Sequence, residues 1–524
     1  MKPSALLHSS AALFLATSAV ASPAQSTSPR IEWLPCQSEP STASSSQDAI
    51  RVQCGRLRVP VDHDRPLADS MWIPFYRVPA AAPSSIEGTV LVLPLDLTGD
   101  TRNALVDVAQ RWRSHPADDV DFGDLRRATD RYDFVALQPR GVGTTQLPCE
   151  PTDGDLAANA LITGDAEAWR TWERDVRMFV GACGDNARHV STRNYVADLD
   201  VLREALSAPT WHIYARGHGG WVASWYASLH PTRTERLLLD NSLGFGSDAW
   251  PAQSAGSSMY AESVLWNGPV RDVVSHPSRF RLGTSPNTVM KRLRGMPVAL
   301  RHRWWDRLIT GDDIAAALAI AEAWPPTARP SLPSIKAYVA AYRFHPDASI
   351  DESLHVTALR LLNDMVDGGP SSSKKYALDG ATMATACNDI AWHETASELM
   401  EKHRFELGVF ALPNPTRSIH GIACQAWPYV ASGRPGPGPL HRISPFLMVH
   451  AAVHYAAPVD TAIRVTRTFG TARLVVQQNA SSTFVVADDR ARCASRMAGH
   501  YLLTGDVPSA SVTRCNDGPA RSIP

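Results

Sequence analysis

Four turns that follow apolar runs in this chain are positioned where side chains could do chemistry. The first is the turn Tyr214-Ala215-Arg216-Gly217-His218-Gly219-Gly220, between the apolar run Trp211 to Tyr214 and a helical run from Trp221 to Leu229. The second is Leu95-Asp96, just after the apolar run Thr89 to Leu93. The third is His454-Tyr455, after Phe446 to Val449, and the fourth is the stretch around Ser482, after Arg473 to Val476. Gly217, at the centre of the first turn, has no side chain and can form no covalent intermediate. His218 and His454 could share a metal ion, but two histidines with no third ligand fall short of a zinc site, so no metal is expected. No cofactor is implied either. Ser224, about two turns into the following helical run, and Ser242, after Arg236 to Asp240, are the hydroxyls closest in sequence to the first turn. For Ser224, packing of a small residue on a helix is the plainer explanation.

These places follow apolar runs, and the runs define the elements that must position them. Thr89-Val90-Leu91-Val92-Leu93 is almost unbroken in its apolarity, as expected for a strand buried on both faces of a parallel sheet. Ile73 to Val78 and Asp133 to Leu137 are further strand-like runs, and Tyr195 to Leu206 has helical periodicity. Strands alternating with helices predict an α/β architecture with a doubly wound, mostly parallel sheet. The texture changes near Gly246. From there to about Tyr376 the chain is helical and rich in Trp and Arg, with breaks at Trp324-Pro325-Pro326 and Pro330-Ser331-Leu332-Pro333. This predicts an inserted helical cap over residues 246–384. The core is then split into an N-terminal part, 22–245, and a C-terminal part, 385–524.

Charge and cysteine content bound the setting. A formal net charge of -1 gives no basic excess for nucleic acid or an anionic membrane surface. Lys2, the apolar run around Leu13-Phe14-Leu15-Ala16 and the small-x-small site Ala19-Val20-Ala21 read as a signal peptide over residues 1–21. No later stretch is apolar for long enough to span a bilayer. Eight cysteines in an exported chain favour disulfides: Cys36, Cys54, Cys149, Cys183, Cys387, Cys424, Cys493 and Cys515. None forms a Cys-x-x-Cys pair, so zinc is disfavoured. Connectivity does not follow from sequence; sequential pairing, which closes short local loops, is the working expectation. The chain is expected outside the cytoplasm, extracellular or periplasmic. Asn479-Ala480-Ser481 is an N-x-S sequon, which a eukaryotic source could glycosylate.

Several motifs resemble one family. Tyr132-Asp133-Phe134-Val135-Ala136-Leu137-Gln138-Pro139-Arg140-Gly141-Val142-Gly143 is similar to a strand and turn of secreted tripeptidyl aminopeptidase-like serine exopeptidases, α/β-hydrolases related to prolyl iminopeptidases. Ile31 to Cys36, Cys54 and Val59-Pro60-Val61-Asp62 resemble their N-terminal signature. Cys424-Gln425-Ala426-Trp427-Pro428, with Cys493, Tyr501-Leu502, Gly505, Pro508 and Cys515, resembles their C-terminal domain. The resemblance implies an α/β-hydrolase fold and a Ser-Asp-His triad, with the serine raised on a strand-to-helix turn, where the His takes its proton and the Asp orients that His. Matched position by position, the serine falls at Gly217, the acid at His454 and the base at Ser482. The family's oxyanion glycines fall where Leu95 and Asp96 stand, and a carboxylate there would repel a developing oxyanion.

The resemblance therefore implies a fold kept and a chemistry lost. The leading expectation is a non-catalytic relative that binds a peptide, a small apolar molecule or a protein partner in the old cleft. Leu95, Asp96, Arg216, His218, His454 and Tyr455 are expected to line that region. The alternatives are an active peptidase or esterase with displaced residues, Ser224 or Ser242 among them, and a purely structural extracellular protein.

Overall fold

The computed structural model describes residues 31–36, 50–93, 96–152, 154–247, 250, 258–324, 332–363, 377–454, 457–478 and 484–517. The expected signal segment, Leu95, Tyr455, the Asn479 sequon and Ser482 lie outside these residues.

Ten strands form one sheet in the order β1-β2-β3-β5-β4-β6-β7-β8-β9-β10. They are β1 (Ile31–Leu34), β2 (Gln53–Pro60), β3 (Ser70–Val78), β4 (Gly88–Leu93), β5 (Tyr132–Leu137), β6 (Trp211–Arg216), β7 (Thr234–Asp240), β8 (Phe446–Ala451), β9 (Ala472–Gln477) and β10 (Val512–Cys515). β1, β2 and β3 pair antiparallel, and β3 joins β5 antiparallel. From β5 onward every pairing is parallel. This is the doubly wound, mostly parallel sheet of an α/β-hydrolase.

Strand periodicity sorts the side chains onto the two faces. Leu91, Leu93, Trp211, Ile213 and Ala215 point into one core, shared with helices α5 (Thr192–Ala205) and α6 (Gly219–Leu229). Their neighbours Val90, Val92 and Tyr214 point into the opposite core, shared with α1 (Thr101–Arg113), α2 (Gly123–Arg131) and the helix Arg492–Thr504. With both faces covered, β5, β6 and β8 are buried along their whole length.

Between β7 and β8 the described residues form helices in two further cores. One runs from Ala261 to Leu412 around Leu265, Leu293, Trp304, Ile314 and Leu361. The other joins α3 (Gly154–Thr163) and α4 (Ala166–Ala182), which connect β5 to β6, to the helices Gly380–Asp389 and Thr416–Gln425. Two disulfides, Cys149–Cys183 and Cys387–Cys424, brace that second core. Cys36–Cys54 ties the antiparallel edge and Cys493–Cys515 the C-terminal end. The pairing is sequential, as expected.

A buried ion pair anchors the antiparallel edge to the parallel sheet. Arg140, 2% exposed in the turn after β5, donates through Nε and Nη2 to the two carboxylate oxygens of Asp198 on α5, at 2.6 and 2.7 Å. Its remaining donors reach the carbonyls of Val61 and Pro60 at the end of β2. Every strong bond of the guanidinium is thus spent inside the protein. Removing one partner would strand the other charge in the core, which costs about 3–5 kcal/mol. Asp198→Ala should therefore lower the unfolding free energy by that amount in urea titrations, and Arg140→Lys should not rescue the forked geometry. A change below about 1 kcal/mol would contradict this assignment.

Five histidines set a second expectation. Burial lowers His212, His403 and His454 to about 4, and His218 and His450 to about 3, from an ordinary value of 6.5. Below pH 6.5 the unfolded chain gains these protons while the folded chain refuses them, so stability falls on acidification. Two buried carboxyls act oppositely. Burial raises Asp240 to about 6 and Asp389 to about 7, from 3.8, so the folded chain takes up protons first and gains stability as pH falls. Five groups outweigh two, and the unfolding free energy should drop by roughly 4–6 kcal/mol from pH 7 to pH 5. His450→Leu should shrink that drop; a flat or rising urea midpoint over this range would contradict the assignment.

Candidate functional site

β6 is central in the sheet, and its C-terminal end feeds directly into α6. The turn between them reverses direction within two residues, and Gly217 takes φ +48°, the left-handed region where glycine is least strained. Its N–H donates to the carbonyl of Asp240 at 3.2 Å, and its carbonyl accepts from the N–H of Leu243 at 2.8 Å and of Gly220 at 3.0 Å. The turn is thus clamped to β7 and to the segment after it. Gly220 is held to glycine by close approach, since an added Cβ would lie 2.5 Å from the Cβ of Ser242. Among the turn residues Gly217 to Gly220, the one side chain beyond hydrogen belongs to His218.

His218 is 9% exposed, and its ring lies 4.8 Å from that of Trp250, which meets Trp221 edge-on. Its Nε2 is buried without a hydrogen-bond partner among the described residues. With its pKa depressed to about 3 by burial, and secondarily by His420, it is neutral at physiological pH. It is a neutral polar group with an unmade bond, beside the turn.

The other expected site residues fall in different surroundings. Arg216 is the last residue of β6, and strand alternation turns it to the α1 face, away from the α6 core. There it meets Asp107 and the carbonyl of Ala104, both at 3.4 Å, and lies over the Phe484 ring. Asp96 is exposed, and its carboxylate accepts from the N–H of Gly99, three residues on. It closes a local turn of the kind short acidic side chains favour. His454 is half-buried; its Nδ1 accepts from the N–H of Ala457 at 2.9 Å, and its carbonyl accepts from the Tyr260 hydroxyl. Burial lowers it to about 4, so it is neutral and bonded within its own loop. Leu95, Tyr455 and Ser482 are outside the described residues.

Of the two serines near the turn, Ser224 has a structural bond, its Oγ accepting from the N–H of Gly246 at 3.1 Å. Ser242 Oγ is buried without a partner among the described residues. No group of three or more His, Cys, Asp or Glu side chains suited to a metal ion occurs among the described residues.

Two acids that sequence reasoning did not single out hold the site together. Asp240, fully buried at the end of β7, accepts from the Tyr214 hydroxyl at 2.8 Å and from the N–H groups of Val485 and Val486 at 2.8 and 3.0 Å. Asp389 accepts from the N–H of Thr192, at the start of α5, and from Trp221 Nε1. A carboxylate ending a central strand was the available signal for Asp240. For Asp389 there was none, because Thr192 is 197 residues away in sequence.

Comparison with known proteins places this geometry in context. Residues 412–515 match a family described as TAP-like protein. The serine protease Hip1 of Mycobacterium tuberculosis is 28% identical over 43% of this chain, and the match takes in 41% of that protein's own length. The tripeptidyl aminopeptidase of Streptomyces coelicolor is 22% identical over 88% of this chain and 83% of its own. The solved proline iminopeptidase of Mycobacterium smegmatis aligns over 86% of this chain and 100% of its own at 12% identity, with a TM-score of 0.34. The chain has an α/β-hydrolase fold, is similar over most of its length to a tripeptidyl aminopeptidase, and carries a TAP-like match over residues 412–515.

Proposed function

We propose that this chain is an exported, non-catalytic relative of the tripeptidyl aminopeptidases that uses the region over the β6–α6 turn to bind a ligand. The observation that carries the reading is Gly217, at the apex of that turn with φ +48°. The turn is intact in shape and offers no nucleophile. At the position matched to the acid, His454 is a neutral imidazole engaged by its own loop and supplies no fixed carboxylate. His218 is neutral as well, and its buried Nε2 has no hydrogen-bond partner among the described residues. A peptide, a small apolar molecule or a protein segment offering one hydrogen-bonding group fits this tryptophan-lined neighbourhood. Four disulfides and the signal-like start support export. No helix among the described residues is long and apolar enough to cross a membrane.

The purified protein should not react with serine-directed phosphonate probes and should not turn over aminoacyl, tripeptidyl or ester chromogenic substrates. Gly217→Ser alone should restore nothing, because the hydroxyl would have no base, and the left-handed backbone should cost about 1–2 kcal/mol in thermal or urea unfolding. Adding His454→Asp and Ser482→His should give weak activity at best while Leu95 and Asp96 stand in the loop after β4. Robust wild-type turnover that survives Ser224→Ala and Ser242→Ala would overturn the reading. Intact-mass measurement of exported protein should show loss of residues up to about Ala21.

A further inference from the structure

Asp389 puts a carboxylate where burial and the backbone both oppose its charge. It is the last residue of the helix Gly380–Asp389 and is fully buried, and the negative end of the helix dipole disfavours a second negative charge there. Its two oxygens are used separately. Oδ1 accepts from the N–H of Thr192, the first residue of α5, at 2.8 Å, and Oδ2 accepts from Trp221 Nε1 on α6 at 2.9 Å. The helix it ends is fixed from behind. Cys387 is bridged to Cys424, and Asn388 Nδ2 donates to the carbonyls of Ala187 and Val190. At Asp389 the disulfide-braced core thus grips the helix before β6 and the helix after it.

No cation offsets this charge. α6 carries no charged side chain. On α5, Arg193 and Asp198 pair with Asp64 and Arg140. On the helix Thr416–Gln425, Arg417 pairs with Glu394, and burial lowers the pKa of His420. In segment 185–190, Asp185 and Arg188 are exposed and burial lowers the pKa of His189; at the turn, His218 is neutral. None of these charges shifts Asp389. Burial does, raising it to about 7 against the opposing hydrogen bonds from Thr192 and Trp221. The carboxyl therefore changes charge near neutrality, where ordinary carboxyls do not.

The donors around it make that change structural. A carboxylate only accepts, whereas a carboxylic acid has one oxygen that donates. Two N–H donors face two oxygens, so a proton on either oxygen takes the acceptor from one of them. Thr192 Oγ1, buried without a partner among the described residues, stands beside the carboxyl as an acceptor for that proton. We propose that Asp389 is a proton-operated tie: ionised, it holds both α5 and α6 to the end of the braced helix, and protonated, it holds one of them only. Trp221 meets Trp250 edge-on and Trp250 lies against His218, so the proton sets how firmly the aromatic wall beside the turn is held. The tie operates whether or not the region over the turn binds a ligand.

The test is hydrogen exchange followed by NMR on the full isotope-labelled protein at pH 8 and pH 6, each rate divided by the intrinsic rate at that pH. The Thr192 amide and the Trp221 indole N–H are read against the Ile213 amide on β6, which reports global opening. From pH 8 to pH 6 the protection of at least one of the two should fall roughly tenfold relative to Ile213, the loss expected for one hydrogen bond to a charged acceptor. Asp389→Asn, neutral at every pH and with one acceptor oxygen, should show the lowered protection at both. Trp221→Phe leaves one donor for two oxygens, so the Thr192 amide should then keep its protection throughout; this variant decides the matter alone if Asp389→Asn does not fold. Unchanged relative protection of both groups in the wild type would overturn the proposal. So would a pH-dependent loss that survives Asp389→Asn, or a loss at Thr192 that persists in Trp221→Phe.

Discussion

The geometry around the turn depends on one buried carboxylate. Asp240 closes β7, and its backbone carbonyl holds the N–H of Gly217. Its side chain holds the Tyr214 hydroxyl on β6 and two successive N–H groups, Val485 and Val486, in the segment after β9. One residue thus fixes the strand entering the turn, the apex of the turn and the backbone at Val485 and Val486. Burial opposes the charge and raises its pKa to about 6, while three donors aimed at two oxygens favour the ionised form. None of these bonds involves a side chain at position 217. The turn is held by backbone and by Asp240, so its shape outlasts whatever side chain its apex carries. Glycine, which adopts the left-handed backbone at little cost, is the residue such a scaffold tolerates most easily once a side chain there is no longer required.

Much of this was legible in the sequence because it depended on local pattern. Unbroken apolar runs located the parallel strands, since a strand covered on both faces needs apolar side chains on both. The alternation from Trp211 to Arg216 also contained the direction of Arg216. Trp211, Ile213 and Ala215 face α5 and α6, so Arg216, one residue further, faces α1. Expecting Arg216 to line the old cleft overlooked that parity. Asp96 shows a second limit. Its charge suggested repulsion of an oxyanion, yet a short acidic side chain close to glycine bonds its own loop first, and the carboxylate is spent on Gly99.

What stayed illegible was long-range satisfaction of buried polar groups. The Arg140 fork needs Asp198, 58 positions on, together with carbonyls 79 and 80 positions back. Asp389 needs Thr192 and Trp221, 197 and 168 positions away. The Pro-Arg-Gly turn could be recognised as a motif, but nothing local says that its arginine is the bolt between the antiparallel edge and α5. The disulfides were simpler. Sequential pairing closes loops of 18 to 37 residues, and each bridge lies inside one core or at one end of the sheet.

The buried polar groups near the turn obey two different rules, and the difference bears on what the protein can bind. Asp240 and Asp389 each have at least two donors, so their burial is compensated. His218 and His450 do not: His218 Nε2 and both ring nitrogens of His450 are buried without partners among the described residues. An unmade bond on a buried group costs about 1–3 kcal/mol, and holding each ring neutral avoids the far larger cost of a buried charge. For His450, on β8 and fully buried, that cost is a fixed burden on the fold. His218 is different, because it sits at the start of α6 beside Trp250, where the helix meets the end of the sheet. A ligand that brings one polar atom to Nε2 would supply a bond that no described residue makes. If the region over this turn binds a ligand, as proposed, shape, aromatic contact with Trp250 and a hydrogen bond to His218 would set its selection.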